Sequence, residues 1–258
     1  MTGRHLHALL GPGDPDPVEV VNPAGASRIV LVCEHAGRAI PTALGNLGLP
    51  PEAMERHIAW DIGAEGVARA LSARLDAPLA VQRYSRLVID CNRPFEAADL
   101  IPETSDGQRV PGNEGLDGVA RRARYDAIHA PFHDRVGDVL DRHSAGGRTV
   151  LVTVHSFTPM LVTRPTPRPW HLGLLSRHRG LAKRLMPVLH DLRPGLVAAH
   201  DEPYRIADDG DYAIPVHGEA RGIEHVMFEI RNDLISTPAG QADWAAFLAA
   251  ALTETLAD

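Results

Sequence analysis

Read for the spacing of its apolar and polar residues, the chain alternates strand-like runs with helical ones. Ile29-Val30-Leu31-Val32-Cys33 is apolar at every position, as in a strand covered on both faces, and stops at the polar step Glu34-His35-Ala36-Gly37. Between Gly63 and Asp76, apolar residues at 64, 67, 68, 71 and 75 follow the helical period. Leu79–Val81 and Leu87–Cys91 predict two further strands, the second ending in Asn92-Arg93-Pro94. Helical spacing returns from Leu116 to about His129 and from Pro131 to His143, Pro131 being suited to a helix start. Thr149–Val154 predicts the clearest strand and gives way to His155-Ser156. Strands at Leu172–Leu175 and Leu196–Ala199 flank a helix over His178–Leu192, bent at Pro187. A last strand, His225–Ile230, precedes a last helix from Pro238 to about Leu256.

Two stretches lack periodicity. Residues 1–27 are rich in Gly and Pro and predict an extended N-terminal segment. Residues 96–115 predict a long loop, a length usually associated with function or mobility. With no internal repeat and no interdomain linker, residues 1–258 read as a single catalytic domain. Strands alternating with helices imply an α/β fold whose mostly parallel sheet carries helices on both faces. Ligands of such sheets sit outside the carboxyl ends of the strands.

Composition narrows the function classes. The 258 residues are 44% hydrophobic, an ordinary globular share, and no run is long enough to predict a membrane helix. The amino terminus lacks the apolar core of a secretory signal, so the expectation is a cytoplasmic protein. A net charge of −7, with one lysine (Lys183) among 26 basic residues, argues against a nucleic-acid partner. Planar guanidinium groups suit carboxylate recognition better than ammonium does. The two cysteines, Cys33 and Cys91, lie in apolar runs and predict buried thiols rather than a disulfide.

Candidate chemistry gathers where strands end. Glu34 and His35 follow the first; Asp90, Asn92 and Arg93 end the Leu87–Cys91 run; His155 and Ser156 follow the Thr149–Val154 run; Glu229 and Arg231 end the last. Two imidazoles and a carboxylate from separate strand ends can hold a divalent transition metal such as Zn²⁺, with a further carboxylate free to move a proton. Blander readings stand beside this one. A histidine at a strand end can simply bond backbone, Glu229 can pair with Arg231, and Asp61 can cap the helix that follows it.

Longer motifs sharpen the choice. Cys33-Glu34-His35-Ala36-Gly37, the His57–Gly63 segment, Tyr84 to Arg93, His155-Ser156-Phe157-Thr158-Pro159, Arg168-Pro169-Trp170-His171, Glu202-Pro203-Tyr204 and Phe228-Glu229-Ile230-Arg231 resemble the N-formylglutamate amidohydrolase family, in family order. The family is similar to the zinc-dependent exopeptidases, which implies a three-layer α/β/α sandwich around a mixed sheet. By that resemblance His35 and His155 are metal ligands, Asp61 is the third, and Glu229 is the general base. Asn92-Arg93 looks like a pair that holds a substrate carboxylate. Arg86, Arg168 and Tyr204 become candidates for the rest of the substrate. Arg38 stands where the exopeptidase pattern has a Glu, which leaves Glu34 as a rival third ligand. Asp201 stands where Asn is expected, which bears on substrate identity.

The function so implied is metal-dependent hydrolysis of an N-formyl or short N-acyl amino acid, with N-formyl-L-glutamate the leading substrate. Two other classes remain. One is a metal-free hydrolase with Cys33 or Ser156 as nucleophile, although neighbours on a strand point to opposite faces and there is no Gly-x-Ser-x-Gly elbow. The other is a non-catalytic amino-acid-binding protein.

Overall fold

The computed structural model describes residues 9–144 and 147–257; the part of the N-terminal prediction that concerns residues 1–8 lies outside them. In chain order the elements are β1 (Val18–Val21), β2 (Ile29–Cys33), α1 (Ala64–Leu75), β3 (Leu79–Gln82), the short strands β4 (Thr104–Ser105) and β5 (Gln108–Arg109), α2 (Gly118–Arg124), α3 (Ala130–Ser144), β6 (Val150–Phe157), β7 (Leu172–Leu175), α4 (Gly180–Leu192), β8 (Ala198–His200), β9 (Glu224–Arg231) and α5 (Pro238–Thr255).

Seven strands form one mixed sheet in the order β1-β3-β2-β6-β9-β7-β8. The central strands β3, β2, β6 and β9 run parallel, while β1 and β7 pair antiparallel with β3 and β9. Side chains alternate across a strand, and the sheet uses both faces. Ile29, Leu31 and Cys33 join Val150, Val152, Val154, Val226 and Phe228 in a core beneath α1, α4 and α5. Val30, Val32, Leu151 and Met227 point the other way, into a core completed by Phe132 and Val136 of α3 and by the loops. This is the three-layer α/β/α arrangement that the pattern and the resemblance imply. The same parity decides what faces the site. His155, two residues beyond Thr153, and Glu229, two beyond Met227, share the α3 side, whereas Cys33 and Ser156 point away from it.

The structure departs from the sequence reading at four places. Leu87–Cys91 is not a strand. Its residues are buried in the second core, but its backbone is satisfied within turns and by side chains: Val88 N donates to Ser85 O, Asn113 Nδ2 to Leu87 O and Arg124 Nη1 to Val88 O. The edge of β3 that it would have needed is taken by β1, a strand inside the segment expected to be merely extended. The predicted helix start at Pro131 is instead the interior of one helical rod. A π-turn over Tyr125–His129, closed by Ala130 N to Tyr125 O, links α2 to α3 and makes room for the proline ring. Finally, β6 continues through His155 and Ser156, because both pair in register with β9.

Inside the 96–115 loop, β4 and β5 form a hairpin on Asp106-Gly107, both at positive φ (39° and 80°), the conformation that a two-residue Asp-Gly turn favours. No helix among the described residues is long and apolar enough to cross a membrane.

Candidate active site

His35 leaves the carboxyl end of β2, and its carbonyl accepts from Asp61 N at 2.9 Å, which brings the 57–63 segment against the sheet. Asp61 does not cap α1. That role falls to Gly63 at φ 82°, where a Cβ would come within 2.2 Å of Ile235 O. The Asp61 carboxylate instead accepts from Ser156 N at 3.1 Å and faces His155 Nδ1 at 3.0 Å and His35 Nδ1 at 3.4 Å. The two Nδ1 atoms are 3.2 Å apart. Three buried donor atoms from distant parts of the sequence therefore converge, as a metal site requires. Tetrahedral zinc with bonds near 2.0–2.1 Å has ligand–ligand edges of about 3.3 Å, so this donor set fits such an ion.

Each histidine is held from behind by a carboxylate. His35 Nε2 faces Asp90 Oδ1 at 2.7 Å, and His155 Nε2 lies 3.0 Å from Glu34 Oε2 as an ion-pair contact. Carboxylate–histidine pairs of this kind orient imidazoles toward a metal and raise their basicity. Glu34, the rival third ligand, thus sits behind His155, outside the converging set. Arg86 bridges the two aspartates, with Nη2 2.6 Å from Asp90 Oδ2 and Nη1 3.4 Å from Asp61 Oδ1.

Burial would raise the Asp61 and Asp90 carboxyls, but their cationic neighbours outweigh it. His35 and His155 hold Asp61 far below the usual range, and Arg86, His35 and Arg93 hold Asp90 there. Burial would lower His155, yet Glu34 and Asp61 lift it well above an ordinary imidazole. Glu229 behaves differently. It pairs in register with His155 across β6 and β9 and is 6% exposed, and among the described residues its Oε2 has no hydrogen-bond partner. Burial pushes its carboxyl up to about 7 despite the pull of His155, with Asp61 adding to the rise. Arg231, the structural partner that the sequence allowed, turns to Asp233.

These groups line a cavity of about 510 Å³ whose far wall is the β4–β5 hairpin. Asp106 at the hairpin tip accepts from Val162 N and Thr163 N and so ties the hairpin to the loop after β6. Tyr204 and Arg93 also line the cavity. Burial and the Glu229 charge raise the Tyr204 phenol. Arg93 is engaged through Nε with Asp99 and through Nη1 with Gly210 O and Asn92 O, so Nη2 is its open donor. Asn92, which also lines the cavity, uses Oδ1 to accept from Tyr212 N and Ala213 N and Nδ2 to reach Asp211, and so fixes the 211–213 segment. Arg168 stands outside the cavity lining and supports Tyr204, with its Nη1 2.9 Å from the phenol oxygen and its guanidinium 5.2 Å from the ring.

The model of one family, described as N-formylglutamate amidohydrolase, matches residues 27–236. The chain belongs to the N-formylglutamate amidohydrolase family. A solved gene product from Agrobacterium tumefaciens is 38% identical, with a TM-score of 0.90 over 96% of this chain and 98% of that one. N-formylglutamate amidohydrolase from Ralstonia eutropha JMP134 shares the fold at 19% identity, with a TM-score of 0.69 over 93% of this chain and 97% of that one. Comparison with curated protein sequences finds no match. Membership makes the chain a hydrolase acting on amide bonds.

One further residue shapes the site of this amidohydrolase. Gly173 on β7 lies opposite Glu229 on β9, on the same face of the sheet. A Cβ there would lie 1.9 Å from Glu202 O and 3.3 Å from Glu229 Cβ. The missing side chain is what lets the Glu202-Pro203-Tyr204 turn lie directly on the strand and present Tyr204 to Glu229. Gly173→Ala is expected to lower kcat/KM by about tenfold or more through displacement of that turn, since misplacing a group by an ångström can cost up to about 10²-fold. Steady-state kinetics, with circular dichroism to verify folding, check it; unchanged kinetics would mean that Tyr204 is positioned by other contacts.

Sequence reading did not place Asp90 behind His35 or find Gly173. Asp90 was visible as a polar residue closing an apolar run, whereas Gly173 sits unmarked in Leu172-Gly173-Leu174-Leu175.

Proposed function

We propose that the chain is a metal-dependent amidohydrolase that removes an N-formyl or short N-acyl group from an amino acid, N-formyl-L-glutamate being the leading substrate. The observation that carries this reading is the meeting of His35 Nδ1, His155 Nδ1 and Asp61 Oδ2 at 3.0–3.4 Å beside the unpartnered carboxyl of Glu229. His35, Asp61 and His155 would hold the ion, Zn²⁺ or another divalent transition metal. Such an ion lowers the pKa of water and polarises an acyl oxygen.

The chain's own groups supply the remaining steps. Glu229, poised near neutrality, takes the proton of the attacking water and returns it to the leaving amine. Arg93 Nη2 is placed to grip the substrate carboxylate. Tyr204, braced by Arg168, faces the reacting acyl group from the cavity wall.

A metal-free nucleophile finds no support. Cys33 Sγ bonds Val154 O on the other face of the sheet, and burial, with Glu34 and Asp61, holds its thiol well above the usual range. Ser156 Oγ is committed to Ile62 O. A purely binding protein leaves Glu229 Oε2, which has no hydrogen-bond partner among the described residues, without a use.

Release of formate, acetate or succinate from N-formyl, N-acetyl and N-succinyl amino acids should appear with the metal-loaded protein. It should vanish on exhaustive chelation and return with Zn²⁺, Mn²⁺ or Co²⁺. Full turnover by the chelated protein would overturn the metal role, and no turnover with any metal would overturn the reaction.

A further inference from the structure

Charge on the cavity wall is almost entirely compensated from within. Asp61 and Asp90 face the two histidines and Arg86, and Asp99 pairs with Arg93 Nε at 2.9 Å. Asp106 receives two backbone N–H groups and faces His57 Nε2 at 3.3 Å. Asp211 receives Ala207 N and Asn92 Nδ2. Of the three arginines in the lining, Arg86 is bound to two aspartates and Arg93 keeps a single open nitrogen. The third is Arg205. It follows Tyr204 on the turn that lies against Gly173, it is exposed, and among the described residues no carboxylate or carbonyl engages it. An uncompensated guanidinium at the mouth of a cavity whose aspartates are all occupied presents an anion site with five free donors.

We propose that Arg205 is a specificity-determining residue of this enzyme: it reads the carboxylate at the end of the substrate side chain. The inference rests on the amidohydrolase reading above. It divides the two substrate charges between two arginines, Arg93 Nη2 for the α-carboxylate and Arg205 for the distal one. A fork–fork contact of the second kind adds both energy and direction. It forms only when the substrate fills the mouth and removes both charges from bulk water, where an exposed pair has little strength.

The test is a pair of substrates that differ only in the distal charge, N-formyl-L-glutamate and N-formyl-L-glutamine, assayed on the metal-loaded wild type, Arg205→Gln and Arg205→Glu. The wild type should prefer the glutamate substrate in kcat/KM by about 10–100-fold, the range of a charge-assisted hydrogen bond. Arg205→Gln should remove that preference through KM on the glutamate substrate alone, leaving the glutamine substrate as in the wild type. Arg205→Glu should push glutamate below glutamine. Arg205 has no partner among the described residues to lose, so the melting temperatures of the variants should match the wild type.

Equal wild-type rates on the two substrates would overturn Arg205 as selector while leaving the amidohydrolase reading intact. Arg205→Gln lowering both substrates alike would assign it to the α-carboxylate or to the turn, and would also overturn the proposal. A wild type inert toward both, with every metal, would fail at the earlier step and take this inference with it.

Discussion

Glu229→Gln should lower kcat by about 10²–10⁴-fold, the range contributed by a positioned general base, with metal content unchanged. The expectation follows from where Glu229 sits rather than from its type. It is one strand over from His155 and in register with it, yet it lies outside the set of converging donors. Among the described residues its Oε2 has no hydrogen-bond partner, so the carboxyl is held in the site by β9 and by burial. Glutamine has the same shape and cannot accept a proton at neutral pH. The substitution also removes a charge that burial disfavours, so the variant should fold at least as well as the wild type. Turnover rates, metal analysis after dialysis and a thermal melt together decide the matter. A variant that retains full turnover would displace Glu229 from the base role. One that loses metal would make it a ligand.

Asp61→Asn and Glu34→Gln should separate two carboxylates that the sequence alone leaves as rivals. Both are buried and both approach His155, from opposite nitrogens: Asp61 at Nδ1 and Glu34 at Nε2. Only the Nδ1 side also presents His35. Removing the carboxylate behind a ligating imidazole typically costs about 10–100-fold in metal affinity. Glu34→Gln should fall in that range and still bind zinc stoichiometrically at micromolar concentrations. Asp61→Asn removes the anionic member of the converging set and should abolish stoichiometric binding. Calorimetric titration of the chelated protein with Zn²⁺ measures both directly, without recourse to activity. Should the two results be exchanged, Glu34 would be the ligand and the Nδ1 arrangement would rearrange on binding.

The central sheet was legible because its buried strands are short, predominantly apolar and separated by helical spacing. Ile29–Cys33, Thr149–Val154 and His225–Ile230 all became neighbours in it. Reading failed where burial and strand conformation part company. Leu87–Cys91 is as apolar as a strand, but side chains of Asn113 and Arg124 satisfy its backbone, and those residues lie more than twenty positions further along the chain. Val18–Val21 failed in the opposite sense, as a short edge strand hidden among prolines and glycines. At the site, His35, His155 and Glu229 were visible as polar residues at strand ends, Asp61 entered through the family resemblance, and all four line one cavity. What these residues do to one another was not visible, because it depends on angles. Asp61 could have capped α1 until its carboxylate was seen to face the histidines, and the part Asn92 plays in holding the 211–213 segment could not be read from its place in the motif. Arg205 passed unnoticed because its distinguishing property is the lack of a partner, which no sequence displays.

The bare strand position at Gly173 also sets the terms for anyone wishing to retool this enzyme. With a carbonyl oxygen occupying the space where a methyl group would stand, the seat of the Glu202-Pro203-Tyr204 turn on β7 admits no side chain. New substrate range has to come from the rim, from Arg205 and from the hairpin that Asp106 clips to the opposite loop, none of which belongs to the His35, Asp61 and His155 cluster.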